Sequence, residues 1–93
     1  MNQVAYRVRV RGIVTGVGFR YSALHEAARY PGLQGYVRNA DSQTVECVVQ
    51  GEERAVSAML AWLPHGPPSA DVTECEATPV TVDPRLPPFR ITR

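Results

Sequence analysis

The sequence predicts an α+β domain in the order β-α-β-β-α-β, closed by a short C-terminal strand. Three observations carry that expectation. Apolar and polar residues alternate over Val4–Arg11 and again over Thr44–Gln50, the period of a strand with one wet face. Two segments of helical spacing follow those runs, one stopped by Pro31-Gly32 and the other opened after Gly51. The length of 93 residues, with 44% hydrophobic and 20% charged, supports one core and leaves no room for a second, so a single domain spanning 1–93 is expected.

Taken in order, Val4, Tyr6, Val8 and Val10 point inward, and Ala5, Arg7, Arg9 and Arg11 take the wet face. Gly12, Gly16 and Gly18 break that strand into a loop. Phe19 to about Arg29 suits a helix with a narrow stripe of Ala23, Leu24, Ala27 and Ala28. Leu33–Asn39 and Thr44–Gln50 read as strands two and three, joined as a hairpin by Ala40-Asp41-Ser42-Gln43, with Val45, Cys47 and Val49 on one face. The second helix runs from Glu52 to about Leu63. Val56, Met59, Leu60 and Leu63 face the sheet, and Glu52 and Glu53 sit at its positive end. Val72 to about Val82 is a fourth strand, and Phe89-Arg90-Ile91 a short last one. This is the split βαβ, or ferredoxin-like, arrangement. Two helices cover one face of an antiparallel sheet of four strands plus the short C-terminal strand, and the other face is left to Arg7, Arg9 and Arg11.

The net charge of +1 gives weak bulk attraction to nucleic acid or membrane. The distribution is uneven: residues 1–40 carry six Arg and one acid, Glu26, whereas residues 41–93 carry four Arg and eight acids. The early half is the part suited to a small anion. Every basic residue is Arg, which suits bidentate phosphate binding, but codon bias is the better account of so complete a replacement of Lys. No apolar run approaches the ~20 residues of a membrane span, and the N-terminus lacks the apolar segment of a secretory signal, so a cytoplasmic protein is expected. Cys47 and Cys75 make neither a disulfide framework nor, with His25 and His65, a recognised metal spacing. A Cys47–Cys75 bridge stays open but does not suit a reducing compartment.

The segment that could carry chemistry is Gly12-Ile13-Val14-Thr15-Gly16-Val17-Gly18-Phe19-Arg20. A strand ends, a glycine-rich loop follows and a helix begins, so free N–H groups of the first turn converge on one point. Arg20 adds a full charge and a fork of donors, and a phosphate-sized dianion is the natural guest. The Gly-Lys-Ser/Thr of a nucleotide P-loop is missing. On spacing alone, the glycines also serve a plain strand-to-helix turn with Arg20 in solvent. Asn39 ends strand two, which a right-handed βαβ unit makes parallel to strand one. Strand three lies between them, so the two strand ends stand roughly 10 Å apart along one sheet edge, and the side chains of Arg20 and Asn39 can converge on one small ligand. Alternatively, Asn39 is an Asx-type turn residue. No His or carboxylate is placed as a general base, so a reaction here would work by positioning and electrostatics.

These residues resemble the acylphosphatase family. The stretch from Gly12 to Arg20 is similar to its first motif. Gly35-Tyr36-Val37-Arg38-Asn39, with Thr44-Val45-Glu46 and Gly51, is similar to its second. Gly66-Pro67-Pro68-Ser69-Ala70-Asp71-Val72 and Phe89-Arg90-Ile91 also match. The resemblance implies hydrolysis of a carboxyl-phosphate mixed anhydride to carboxylate and inorganic phosphate, without metal, cofactor or phosphoenzyme. It implies that Arg20 and the backbone N–H groups of Thr15, Gly16, Val17, Gly18, Phe19 and Arg20 hold the phosphoryl group, and that Asn39 orients the attacking water. Three positions depart from the family pattern. Thr15 stands where Gln is usual, Gln43 replaces a hairpin Gly, and Pro31 replaces an apolar residue after the first helix. The expected partner is a small acyl phosphate, with no nucleic acid or membrane, and the expected state is a monomer. The competing reading is a non-catalytic anion- or RNA-binding module using the arginine face. It lacks the aromatics that stack bases, because Tyr6 points inward and no aromatic flanks the arginines. An excised domain of a larger maturation factor fits the free-standing length less well.

Overall fold

A computed structural model describes residues 2–93. Strand β1 (Gln3–Ile13) leads to helix α1 (Phe19–Ala27), strands β2 (Gln34–Asp41) and β3 (Thr44–Glu52), helix α2 (Glu53–Trp62), strand β4 (Asp71–Pro79) and the two-residue strand β5 (Arg90–Ile91). The sheet order is β4-β1-β3-β2-β5. β1 pairs antiparallel with both β3 and β4, and β2 pairs antiparallel with β3. β5 joins parallel to β2 through Tyr36–Arg90 and Val37–Ile91. The four-stranded antiparallel sheet with its short terminal strand is therefore as the sequence predicts. β1 and β2 run parallel on either side of β3, so their C-terminal ends share one edge of the sheet.

The core lies between the sheet and the helices. Val8, Val10, Val37, Val45, Cys47 and Val49 from the sheet meet Phe19, Ala23 and Ala27 of α1 and Val56, Met59 and Leu63 of α2. Each of the larger of these side chains stabilises the fold by about 1.5–3 kcal/mol on burial. α2 presents the expected face, with Leu60 half-buried. α1 differs from expectation. Its buried stripe is Phe19, Ala23 and Ala27, at i, i+4 and i+8, while Leu24 is half-buried and Ala28 exposed. α1 is thus held mainly at its first residue, beside the loop.

Several boundaries shift for local reasons. α1 ends at Ala27 rather than Arg29, because the chain enters a turn in which Leu33 N–H donates to Tyr30 O at 3.1 Å. Pro31 and Gly32 are its central residues, with Gly32 at φ +94°, the pattern of a type II turn. The hairpin needs only Ser42 and Gln43, since Asp41 already pairs with Thr44. No non-glycine residue has positive φ among the described residues, so the loop is not of the I′ type that matches strand twist. A register shift between Asn39 and Asp41 takes up the mismatch.

The face opposite the helices is not wholly open. β4 stops at Pro79 rather than Val82, and residues 80–88 cross one end of that face. Gln50, fully buried, donates to Asp83 O at 2.8 Å and accepts from Asp83 N–H at 2.8 Å. Ala5, expected to be wet, is buried at that end of the sheet. Cys47 and Cys75 are both free. β1 separates their strands, which places them roughly 10 Å apart, beyond disulfide reach.

Candidate active site

Side-chain parity sorts β2. Val37 is buried in the core, so Asn39, two residues on, faces the helix side, and Tyr36 and Arg38 face the arginine side. The Asn39 Oδ1 is buried and has no hydrogen-bond partner among the described residues. The Asx turn belongs to Asp41 instead, whose Oδ1 accepts from Gln43 N–H at 2.8 Å. An unpartnered buried carbonyl costs about 1–3 kcal/mol, so this oxygen is disposed to accept a hydrogen bond.

The loop after β1 is built to present N–H groups. Gly16 and Gly18 hold φ +73° and +78°, a left-handed geometry that glycine adopts without strain. Gly18 is the N-cap of α1, with no capping side chain and no acid in the first turn. None of the backbone N–H groups from Thr15 to Arg20 is engaged by an acceptor among the described residues. Arg20 is half-buried in that first turn and makes no ion pair among the described residues. The combined field of unspent N–H groups, helix N-terminus and guanidinium suits a dianion.

Four contacts fix this loop. Phe19 is buried, with its ring centroid 5.6 Å from that of Trp62 and the planes tilted by 53°. Gly66 lies so close that a Cβ there would come within 2.5 Å of the Phe19 ring. Thr15 Oγ1 donates to Ser42 O at 2.6 Å, tying the loop to the turn three residues past Asn39. Thr15 is thus both a candidate phosphate-binding residue through its N–H and a clamp through its hydroxyl. Ser69 Oγ donates to Val17 O at 2.7 Å from the α2–β4 connection.

The arginine face contains a carboxylate that the reading of charges along β1 passed over. Glu46 lies opposite Arg9 and Arg38. It accepts from Arg38 Nε at 2.9 Å, Arg9 Nη2 at 3.3 Å and the Tyr36 hydroxyl at 3.3 Å. Burial works against its ionisation, but Arg38, Arg9 and Tyr36 outweigh burial and hold its carboxyl below the ordinary glutamate range. Burial and the Glu46 charge push the Tyr36 hydroxyl up. An aromatic therefore does sit on this face, contrary to expectation, but it is a single tyrosine with its hydroxyl engaged. Parity could have found Glu46. Nothing in the spacing points from Ser69 to Val17, 52 residues earlier.

A surface hollow of about 630 Å³ lies beside the hairpin, lined by Arg11, Ile13, Asp41, Gln43, Asp71 and Glu74 among others. Its three acids against one arginine disfavour a dianion. The family model of acylphosphatase matches residues 6–91. An acylphosphatase of Burkholderia lata is 52% identical over 69 residues, 74% of this chain and 69% of the relative. The structure of an acylphosphatase from Coxiella burnetii superposes with a TM-score of 0.88 at 33% identity, covering 98% of this chain and 94% of that one. Full-length HypF, in a phosphate- and nucleotide-bound form, superposes with a TM-score of 0.86 at 31% identity over 99% of this chain but 12% of its own. The family match over nearly the whole chain agrees with the loop, the guanidinium and the amide at one sheet edge, and the chain belongs to the acylphosphatase family.

Proposed function

We propose that the chain hydrolyses acyl phosphates by holding the phosphoryl group in the 15–20 loop and directing a water at phosphorus from Asn39. The supporting observation is the pairing of an unspent row of N–H groups at Arg20 with a buried, partnerless Asn39 Oδ1. The loop amides and Arg20 take the non-bridging oxygens. Asn39 Oδ1 accepts one hydrogen of a water, which fixes the direction of its lone pair. The water oxygen bonds to phosphorus, the bond from phosphorus to the acyl oxygen breaks, and the carboxylate leaves with that electron pair. The water's second proton passes to a phosphate oxygen, giving carboxylate and dihydrogen phosphate with charge conserved. A carboxylate is a good leaving group and the transition state is loose, so positioning and charge stabilisation supply the catalysis.

The test is phosphate release from acetyl phosphate in excess EDTA. Arg20→Ala is expected to lose at least ~10²-fold in kcat/KM, or ~3 kcal/mol, as when one key transition-state donor is removed. Retained activity in Arg20→Ala, or activity abolished by EDTA and restored by a divalent cation, would contradict the proposal.

A further inference from the structure

We infer that Ser69 is a positioning residue of the phosphate loop, acting through the peptide plane between Val17 and Gly18. The inference rests on the phosphate-binding reading of that loop. Ser69 Oγ donates to Val17 O at 2.7 Å. No peptide bond in the described chain is cis, and in a trans peptide the C=O and the following N–H point in opposite directions. Anchoring the Val17 carbonyl therefore fixes where the Gly18 N–H points, away from Ser69.

The sheet order says which way that is. Ser69 lies just before β4, which flanks β1 on one side, while β3 and β2 flank it on the other. The Gly18 N–H is thus turned from the β4 side toward the side that carries Asn39. Thr15 Oγ1 grips Ser42 O on that far side at 2.6 Å, so the loop is held from both flanks. Freedom at this peptide is otherwise high. Gly18 borders it with a positive φ of 78°, and a Cβ there would meet nothing within 4 Å. A peptide with glycine on one side in open space rotates readily, and among the described residues the Ser69 hydroxyl is the side-chain group that bonds its carbonyl. Ser69 itself is exposed, so its hydroxyl is not needed to satisfy a buried group.

The experiment compares wild type, Ser69→Ala, Ser69→Thr and Arg20→Ala, using inorganic phosphate as probe. Inhibition of acetyl phosphate hydrolysis gives Ki for wild type and the Ser69 variants. The ¹⁵N–¹H shift of the Gly18 amide under phosphate titration gives affinity for all four. Ser69→Ala is expected to raise Ki roughly three- to tenfold, the worth of one ordinary hydrogen bond, and to shrink the phosphate-induced shift of Gly18. Ser69→Thr, which keeps the hydroxyl, restores both. Thermal unfolding of Ser69→Ala should stay near wild type, which separates positioning from a folding effect. If phosphate titrates the Gly18 amide equally in Ser69→Ala and wild type, while Arg20→Ala abolishes binding, the role of Ser69 is refuted and the loop reading stands. If Arg20→Ala leaves phosphate binding unchanged, the loop reading fails and takes this inference with it.

Discussion

Replacing Asn39 by alanine should separate function from stability. The side chain ends in an Oδ1 that is buried and unpartnered. Removing such an atom recovers about 1–3 kcal/mol of desolvation penalty. Truncating the side chain forfeits packing of about 1–2 kcal/mol. The two nearly cancel, so urea unfolding of Asn39→Ala should fall within about 1 kcal/mol of wild type. Val37→Ala is the control, two residues earlier on the same strand and fully buried, and should cost roughly 2–3 kcal/mol. Turnover should behave in the opposite way. If Asn39 aims the water as proposed, its loss should lower kcat by ~10²-fold or more, about 2.7 kcal/mol, while inhibition by inorganic phosphate stays within about twofold of wild type. The reasoning is refuted if Asn39→Ala keeps its turnover, or if it unfolds as easily as Val37→Ala. Either outcome would make Asn39 an ordinary structural residue.

Glu46→Gln tests the arginine face through pH. Because the folded-state carboxyl is held below its ordinary value of 4.5, ionised Glu46 contributes stability above that pH and loses it as pH falls through the depressed value. The gap in unfolding free energy between wild type and Glu46→Gln should be widest near neutrality and shrink below about pH 4; a gap independent of pH would contradict the assignment. Glycine substitutions should split by geometry. Gly18→Ala, with open space at its Cβ, should cost ~1 kcal/mol from its φ alone. Gly35→Ala, whose Cβ would lie 1.9 Å from Val48 O, should cost about 3 kcal/mol or more by denaturant unfolding. Thiol labelling of the native protein should modify Cys75 before Cys47, because burial shields Cys47 and pushes its thiol strongly upward; equal rates would mean the core opens on the labelling timescale.

The fold was legible because its periods agree at every level. Alternation in β1 and β3, and i, i+3, i+4, i+7 spacing in α2, each reported the face that is buried. α1 was less so, since a stripe of alanines carries little signal and its anchor, Phe19, reads as part of the loop. The ends of β2 and β4 differ from expectation for two reasons: β2 is extended by a local bulge that lets a two-residue turn close, and beyond β4 residues 80–88 return over Gln50. Alternation places Ala5 in solvent, yet it is buried, for no local pattern announces a covering segment. In the candidate site, the glycines, Arg20 and Asn39 stand near strand ends that topology brings together, but spacing alone left a plain turn open at both places and the family resemblance is what singled them out. The clamps were not. Thr15 to Ser42 spans 27 residues and Ser69 to Val17 spans 52, and hydroxyl-to-carbonyl bonds leave no composition or spacing trace.

A crystal of the protein soaked in inorganic phosphate tests the central claim most directly. The account predicts one phosphate in the 15–20 loop, with oxygens at roughly 2.7–3.1 Å from the loop nitrogens and the Arg20 guanidinium, and a water bound to Asn39 Oδ1 facing phosphorus. A loop left empty at saturating phosphate, with Arg20 turned toward bulk solvent, would contradict it.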